Sequence, residues 1–339
     1  MKLRIGFLGL GARGIHHLRQ FHRTLAAQSE AVALCGRAAA NLRRAREAAP
    51  TARVFDDGAE LIHSELDAVC IATPNFTHVP LALEALKAGK HLLLEQPCGI
   101  TRAECHLLAK AAARTDRVVM LGHEPRYSPL CQHLKALVDA GEIGRPRMVW
   151  AREFRASCHP TSGDWGLDAR RSGGLLVANS CSHFDLMNWW VGARPLRVTA
   201  FGGRTRLPGT AAAPPIHDHA TVSFDYDSGT IGTLQVCQFA GNFLHEEMEL
   251  GIVGEGGALQ TRFSSREILL WKRGARVSEP AVIRPAASDS GAAGGLHAAF
   301  LAAVRDGKPP PTTVAACLDG TLLAIAAEES LQHGHTVEV

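Results

Sequence analysis

Apolar and polar residues alternate along this chain in two different rhythms, and the change comes near residue 122. Before it, short apolar runs alternate with stretches whose apolar residues recur three or four positions apart. Strand, helix and strand in that order build a parallel sheet covered by helices. Strands are predicted at Leu3–Leu8, Ala31–Cys35, Ala68–Ala72, His91–Leu94 and Val118–Leu121, with a weaker one at Val54–Phe55. After Tyr127 come one helix over about Pro129–Ala140, closed by Gly141, a long strand over Arg147–Phe154, and an irregular, glycine-containing stretch. Period-two segments follow at Leu196–Gly202, Ala220–Tyr226, Thr230–Phe239, Glu247–Val253, Ala258–Phe263 and Glu267–Trp271. They predict a large, mostly antiparallel sheet with hairpin turns at Asp227–Gly229 and Gly254–Gly257. Small residues and proline make Leu207–Ile216 and Pro285–Gly295 expected loops. A helix near Leu296–Arg305, a proline turn at Pro309–Pro311, a long helix from Val314 to His333 and a short strand finish the chain. The fold class is α/β, with domains at 1–122 and 123–339 and the final helix free to pack back on the first.

The 339 residues suffice for two cores. No apolar run approaches the roughly 18 residues of a membrane span, so no membrane partner is expected. A net charge of +3 with scattered arginines excludes a basic stripe for nucleic acid. Nine cysteines without a C-x-x-C pair read as reduced thiols rather than disulfides or structural zinc. Together with an N-terminus that enters a strand directly, they point to the cytoplasm.

Gly9-x-Gly11-x-x-Gly14 follows the first strand and opens a helix. The first glycine permits the turn, the second lets backbone approach a pyrophosphate, the third allows close packing, and free N–H groups at the helix start attract the anion. Ala12 and Arg13 lie inside that turn. Where an NAD site usually has an acid at the end of the second strand, this chain has Cys35-Gly36-Arg37. With no carboxylate to repel a 2′-phosphate and a guanidinium to pair with it, NADP(H) is the expected cofactor and NAD(H) the alternative. Ligands of open parallel sheets sit outside the carboxyl ends of the strands. Thr73-Pro74-Asn75, Glu95-Gln96-Pro97 and His123-Glu124 stand at three further such ends.

These residues resemble the glucose-fructose oxidoreductase / inositol 2-dehydrogenase family, Gfo/Idh/MocA. The resemblance runs through "ATPNFTHVPLALEALKAGKHLLLEQP" (Ala72–Pro97), where Asn75, His78, Gly89, Glu95 and Pro97 match the family pattern, then "PRYSPL", "GEIGRPRMV", "SGGLLVANSCSHFDLMNWWVG" (Ser172–Gly192) and "AFLAAVRDGKPPPTT". It implies a Rossmann domain and an α/β domain whose open sheet carries substrate on one face and often a subunit interface on the other, hence a homo-oligomer, dimer or tetramer. It also implies cofactor contacts by Thr73, Pro74, Asn75, His78, Glu95 and Gln96.

Two departures from the family pattern matter. Gln96 replaces the lysine of the family's Glu-Lys-Pro, and Asn179 replaces the aspartate four residues before the family's catalytic histidine, here His183. An amide donates and accepts hydrogen bonds but exchanges no proton near neutral pH. His183 is thus the expected proton donor or acceptor, with Gln96 and Asn179 as neutral positioning groups. With a helix beginning near Ser182, Asp185 points elsewhere and is structural. His123, Tyr127, Trp165 and Asn188 are candidate pocket residues. His217 and His219 lack a third metal ligand, so no metal is expected. The implied activity is hydride transfer between nicotinamide and a secondary alcohol or ketone of a sugar, nucleotide sugar or cyclitol, or another carbonyl or imine. A non-catalytic dinucleotide-binding regulator and a redox glycosidase that retains NAD are the competing readings.

Overall fold

The computed structural model describes residues 2–155, 164–205, 216–240, 247–274, 279–285 and 295–339. The expected loops Leu207–Ile216 and Pro285–Gly295 fall outside them except for Ile216, Pro285 and Gly295. The chain forms two compact units, Met1–Glu124 with Thr161–Gly166 and Asp289–Leu318, and Pro125–Pro160 with Leu167–Ser288 and Asp319–Val339.

The first unit runs β1 (Leu3–Leu8), α1 (Ala12–Thr24), β2 (Ser29–Cys35), α2 (Ala39–Ala48), β3 (Arg53–Phe55), α3 (Gly58–His63), β4 (Ala68–Ile71), α4 (His78–Lys87), β5 (His91–Leu94), α5 (Arg102–Ala112) and β6 (Val119–Leu121). Its sheet has the order β3-β2-β1-β4-β5-β6, every pair parallel. Every residue of β4 is buried, as expected where helices cover both faces of a parallel sheet. The reversal of strand order between β1 and β4 opens the crevice beside the glycine turn.

The second unit begins with α6 (Pro129–Asp139), β7 (Pro146–Phe154), the single turn α7 (Ala169–Ser172) and α8 (Leu175–Val191). Then come β8 (Pro195–Gly203), β9 (His219–Tyr226), β10 (Ile231–Cys237), β11 (Glu247–Gly254), β12 (Gly257–Arg262), β13 (Glu267–Lys272) and β14 (Ala281–Ile283). The chain closes with α9 (Leu296–Asp306), α10 (Val314–His333) and β15 (Val337–Glu338). The nine-stranded sheet has the order β14-β13-β12-β11-β7-β10-β9-β8-β15, antiparallel except where β7 meets β10. Val149 and Ala151 of β7, Val222 and Phe224 of β9, and Leu234 and Val236 of β10 fill its inner face. Helix α8 packs against β7 on that side.

Two expectations change. The domain division is not a single cut, because Asp289–Leu318 belongs with the first unit. Apolar contact and backbone pairing hold it there. Phe300 of α9 meets Phe21 of α1 edge-on with ring centroids 6.3 Å apart, and Leu121 N–H donates to the Thr312 carbonyl at 2.8 Å while Thr312 Oγ1 donates back to Leu121 O at 2.9 Å. The pairing covers the otherwise open edge of β6.

Helix α8 starts at Leu175, not near Ser182. Gly173 (φ +86°) ends α7 and Gly174 (φ +93°) begins α8, so two glycines with positive φ make the corner between the two helices. The helix is largely buried and its polar residues are scattered around it, so it offers no polar stripe from which to read its period. A side chain at 174 has no room, since a Cβ there would lie 2.4 Å from the Glu328 carboxyl carbon. Glu328 in turn accepts the Leu176 N–H at 2.6 Å, satisfying a donor that the helix start leaves free. Asp185, also on α8, accepts two bonds from Arg126, Nε to Oδ2 at 2.7 Å and Nη2 to Oδ1 at 2.6 Å, with both side chains buried. That fork fixes the helix to the segment preceding α6.

Burial pushes the Glu328 carboxyl up from 4.5 to about 7. The folded state therefore holds this proton more tightly than the unfolded chain. The resulting stabilisation is complete below about pH 4.5 and is lost as pH rises to about 7. Glu328→Gln, which does not titrate, is expected to gain stability relative to the parent across this window, by on the order of 3 kcal/mol between pH 4 and pH 8. Urea unfolding midpoints at both pH values measure it, and a pH-independent difference would contradict the assignment.

Candidate functional site

In the first unit the glycine turn has the steric demands of a dinucleotide cradle. A Cβ on Gly9 (φ +84°) would lie 2.3 Å from the Ala72 carbonyl oxygen, and one on Gly14 would lie 1.8 Å from the Gly9 carbonyl oxygen. Gly11 is different: a Cβ there meets nothing within 4 Å. It is also the N-cap residue of α1 and offers no side-chain cap, so the helix start is left to an external acceptor. Two glycines are needed by the protein's own backbone and the third faces open space. This cradle fits a pyrophosphate.

Beside it lies a charged network that the sequence did not reveal. Glu95 is buried at the end of β5, where its Oε1 accepts from Arg13 Nε at 2.8 Å and from His17 Nε2 at 2.7 Å. Arg13 Nη2 also donates to Glu124 Oε2 at 2.9 Å, and His16 Nε2 lies 3.0 Å from Glu124 Oε1. Behind them His17 Nδ1 is 2.7 Å from His297 Nε2 of α9. Burial raises the Glu95 carboxyl, but His17 and Arg13 outweigh it and hold the group at about 2. Burial, aided by His17, pushes His297 down to about 3. Glu95 is thus an ionised acceptor, and His17 Nε2 carries the proton facing it. His16, His17 and Glu124 are within reach of a sequence reading as polar residues at a helix start and a strand end. His297 is 280 residues from its partner and is not.

The other expected cofactor residues divide by role. His78 is buried with Nδ1 2.9 Å from the Pro97 carbonyl and Nε2 2.9 Å from the Thr73 carbonyl, and burial lowers its pKa. It ties two strand-end loops together rather than presenting its ring outward. Thr73 accepts from Thr77 Oγ1 at 2.7 Å, Pro74 precedes a one-turn 3₁₀ helix at Asn75–Thr77, and Asn75 is buried. Gln96 is half-buried, its N–H donating to Glu95 Oε2 at 3.1 Å. At the end of β2, Gly36 packs on Leu10 and Arg37 is exposed. Pairing of Cys35 with Phe55 brings Asp56 and Asp57 from the end of β3 near this point. Burial first, and then Asp57 and Asp56, raise the Cys35 thiol, with Arg37 opposing them. The strand end therefore has carboxylates nearby that the second strand's own sequence lacks.

In the second unit Asn179 and His183 lie one turn apart on α8, and Asn179 Nδ2 donates to the Leu175 carbonyl at 3.3 Å. His183 is only 1% exposed, and neither ring nitrogen makes a hydrogen bond of normal geometry. Burial lowers its pKa, Glu153 raises it, Arg155 lowers it, and the Ser180 carbonyl one turn back raises it slightly. Glu153 Oε2 lies 3.5 Å from His183 Nε2. Tyr127 is buried at the end of a 3₁₀ turn, and Tyr226 donates to Asn188 Oδ1 at 3.0 Å. His219 Nδ1 sits 2.9 Å from Asp218 Oδ1. Gln96, His123 and Trp165 belong to the first unit, and Asn179, His183 and Tyr127 to the second. His123 is buried and Trp165 half-buried.

The described cysteines are free thiols, with Cys98 and Cys105 sulfurs 3.6 Å apart. No helix among the described residues is long and apolar enough to cross a membrane.

Known proteins are similar to this chain in sequence and in fold. Inositol 2-dehydrogenase of Salmonella typhimurium (strain LT2) is 35% identical over 166 residues, 47% of this chain and 48% of that protein. The chain thus spans about half the length of the curated relatives it matches first. Inositol 2-dehydrogenase 1 of Saccharopolyspora erythraea is 28% identical over 91% of this chain and 96% of its own. Among solved structures, an oxidoreductase domain protein from Kribbella flavida superposes with a TM-score of 0.86 at 22% identity, covering 100% of this chain and 99% of that one. Levoglucosan dehydrogenase in complex with NADH and levoglucosan superposes with a TM-score of 0.88 at 18% identity, covering 100% of both chains. At these identities the structures establish the fold. Residues 3–123 match the oxidoreductase family with NAD-binding Rossmann fold, GFO_IDH_MocA, and residues 131–260 match the GFO/IDH/MocA C-terminal domain. With both of its parts present in one chain, the protein belongs to the Gfo/Idh/MocA oxidoreductase family.

Proposed function

We propose that the protein is an NADP(H)-dependent oxidoreductase acting on a secondary alcohol or ketone of a sugar, nucleotide sugar or cyclitol, with His183 moving the proton. The observation that carries this reading is the open glycine cradle of the first unit; taken by itself, the second unit offers a buried histidine whose ring nitrogens make no hydrogen bond. Relatives named inositol 2-dehydrogenase and a fold neighbour bound to NADH and levoglucosan support the substrate class.

When bound, the nicotinamide accepts or supplies the hydride. Burial keeps the His183 imidazole in its neutral form, which takes the alcohol proton during oxidation and returns it during reduction. By the family resemblance, the amides of Gln96 and Asn179 position the reacting oxygen without exchanging a proton. Arg37, exposed at the end of β2, supports NADP(H) as a partner for the 2′-phosphate. Asp56 and Asp57 nearby favour the second reading, NAD(H), by accepting ribose hydroxyls and repelling a phosphate. The free thiols fit a reducing cytoplasm.

A second copy of the chain is proposed on the outer face of the large sheet. Ile231 and Val253 both pair with Met148, and all three are exposed, forming an apolar row across β10, β7 and β11.

Titration of protein fluorescence with NADPH and NADH tests the cofactor assignment. Arg37→Ala is expected to weaken NADPH binding by about 1–3 kcal/mol and leave NADH little changed. Tighter binding of NADH by the unmodified protein overturns the NADP(H) preference. Gly11→Ala is expected to fold normally and lose roughly tenfold or more in dinucleotide affinity, because its methyl group occupies the open cradle. Gly14→Ala is expected to disturb folding itself.

In a polyol and ketose screen, His183→Ala is expected to lower kcat by roughly 10². Unchanged turnover excludes it as the proton carrier. Light scattering tests assembly: Met148→Glu with Ile231→Glu is expected to yield monomers.

A further inference from the structure

Asn179 leaves His183 without a carboxylate one turn before it, and Asp185 of the same helix is taken by Arg126, but β7 brings one. Val149 and Ala151 mark the inward parity of that strand, and Glu153 continues it toward α8. Its Oε1 accepts from Arg155 Nη2 at 2.9 Å. Its Oε2 is buried without a hydrogen-bond partner and lies 3.5 Å from His183 Nε2, also buried and without one. Buried polar atoms are nearly always paired, so an unpaired carboxylate oxygen facing an unpaired imidazole nitrogen marks a pair that closes when one of them takes up charge.

We propose that Glu153 is the positioning residue of His183, taking over from strand β7 the task of the carboxylate absent at Asn179 of the helix. This rests, for its purpose, on the oxidoreductase reading above. Glu153 facing Nε2 keeps the ring proton on that nitrogen and leaves the Nδ1 lone pair for substrate. In alcohol oxidation the O–H proton would pass to Nδ1, and a nicotinamide held at the glycine cradle would take up the hydride from the carbon that bears that oxygen. The C–O bond becomes C=O, and the imidazolium is held by the Glu153 carboxylate, which stays ionised. Other charged groups packed against α8 are engaged elsewhere. Arg126 is paired with Asp185, and Glu328 binds the Leu176 N–H at the helix start. Glu153 and Arg155 are the charges that act on His183.

The test follows His183 in the full-length protein without cofactor, by ring ¹⁵N correlation spectra assigned with His183→Gln. The parent is expected to carry its proton on Nε2. In Glu153→Gln the imidazole midpoint is expected to move to lower pH, and Glu153→Asp to restore part of the difference. Should Glu153→Gln fail to fold, Arg155→Gln reads the same coupling from the opposite side, with the midpoint moving up as the cation is lost. Identical midpoints and tautomers in all folded variants overturn the proposal. In turnover, Glu153→Gln is expected to lower kcat roughly tenfold with little change in KM. If no polyol or ketose is turned over by the parent while the midpoint still moves, the oxidoreductase reading falls and the Glu153–His183 coupling stands.

Discussion

A carboxylate removed from water keeps its charge only if donors and cations reach it, and in the first unit Glu95 is where that requirement organises the surroundings. Arg13 comes from the glycine turn, His17 from the next turn of α1, and His297 continues the chain of contacts into α9. Through Arg13 the network also takes in Glu124 beyond β6. One buried charge thus fixes the glycine turn against the ends of β5 and β6, while leaving the helix start itself free of any side-chain cap. A rigid cradle with unsatisfied backbone donors suits an anion, because little is lost in ordering it when the anion binds.

The second unit meets the same constraint differently around α8. Asp185 is neutralised by the two-pronged contact of Arg126, while the Glu328 carboxyl is raised toward its neutral form and accepts a backbone N–H. Both fix the helix at places away from His183. At His183 the polar atoms remain unpaired, which is costly for a resting fold and useful for a group that must gain and lose a proton.

Much of this was legible in the sequence, and what was legible was local. Short apolar runs placed the strands of the first sheet, and period-two alternation those of the second that were read, to within a residue or two. The three glycines, set between strand and helix, identified the cradle. The start of α8 was not legible, since a helix whose polar residues fall on every side has no face to betray its period and two glycines before it read as a loop. The short β14 was missed as well, having only three residues of pattern. Glu153 did leave a signal: a carboxylate standing at an inward position in "VWAREF", four residues beyond Val149 and two beyond Ala151.

The sequence by itself determined the two-part α/β fold, the glycine cradle and the loss of charge at Gln96 and Asn179, because spacing and residue type suffice for each. Tertiary structure decided which charges meet. It set Glu95 between Arg13 and His17, brought Asp56 and Asp57 beside Arg37 and Cys35, and placed Glu153 opposite His183. Such partners lie 19 to 82 residues apart, or 280 for His17 and His297, and electrostatic energy depends on distance through space, which residue spacing along the chain does not encode.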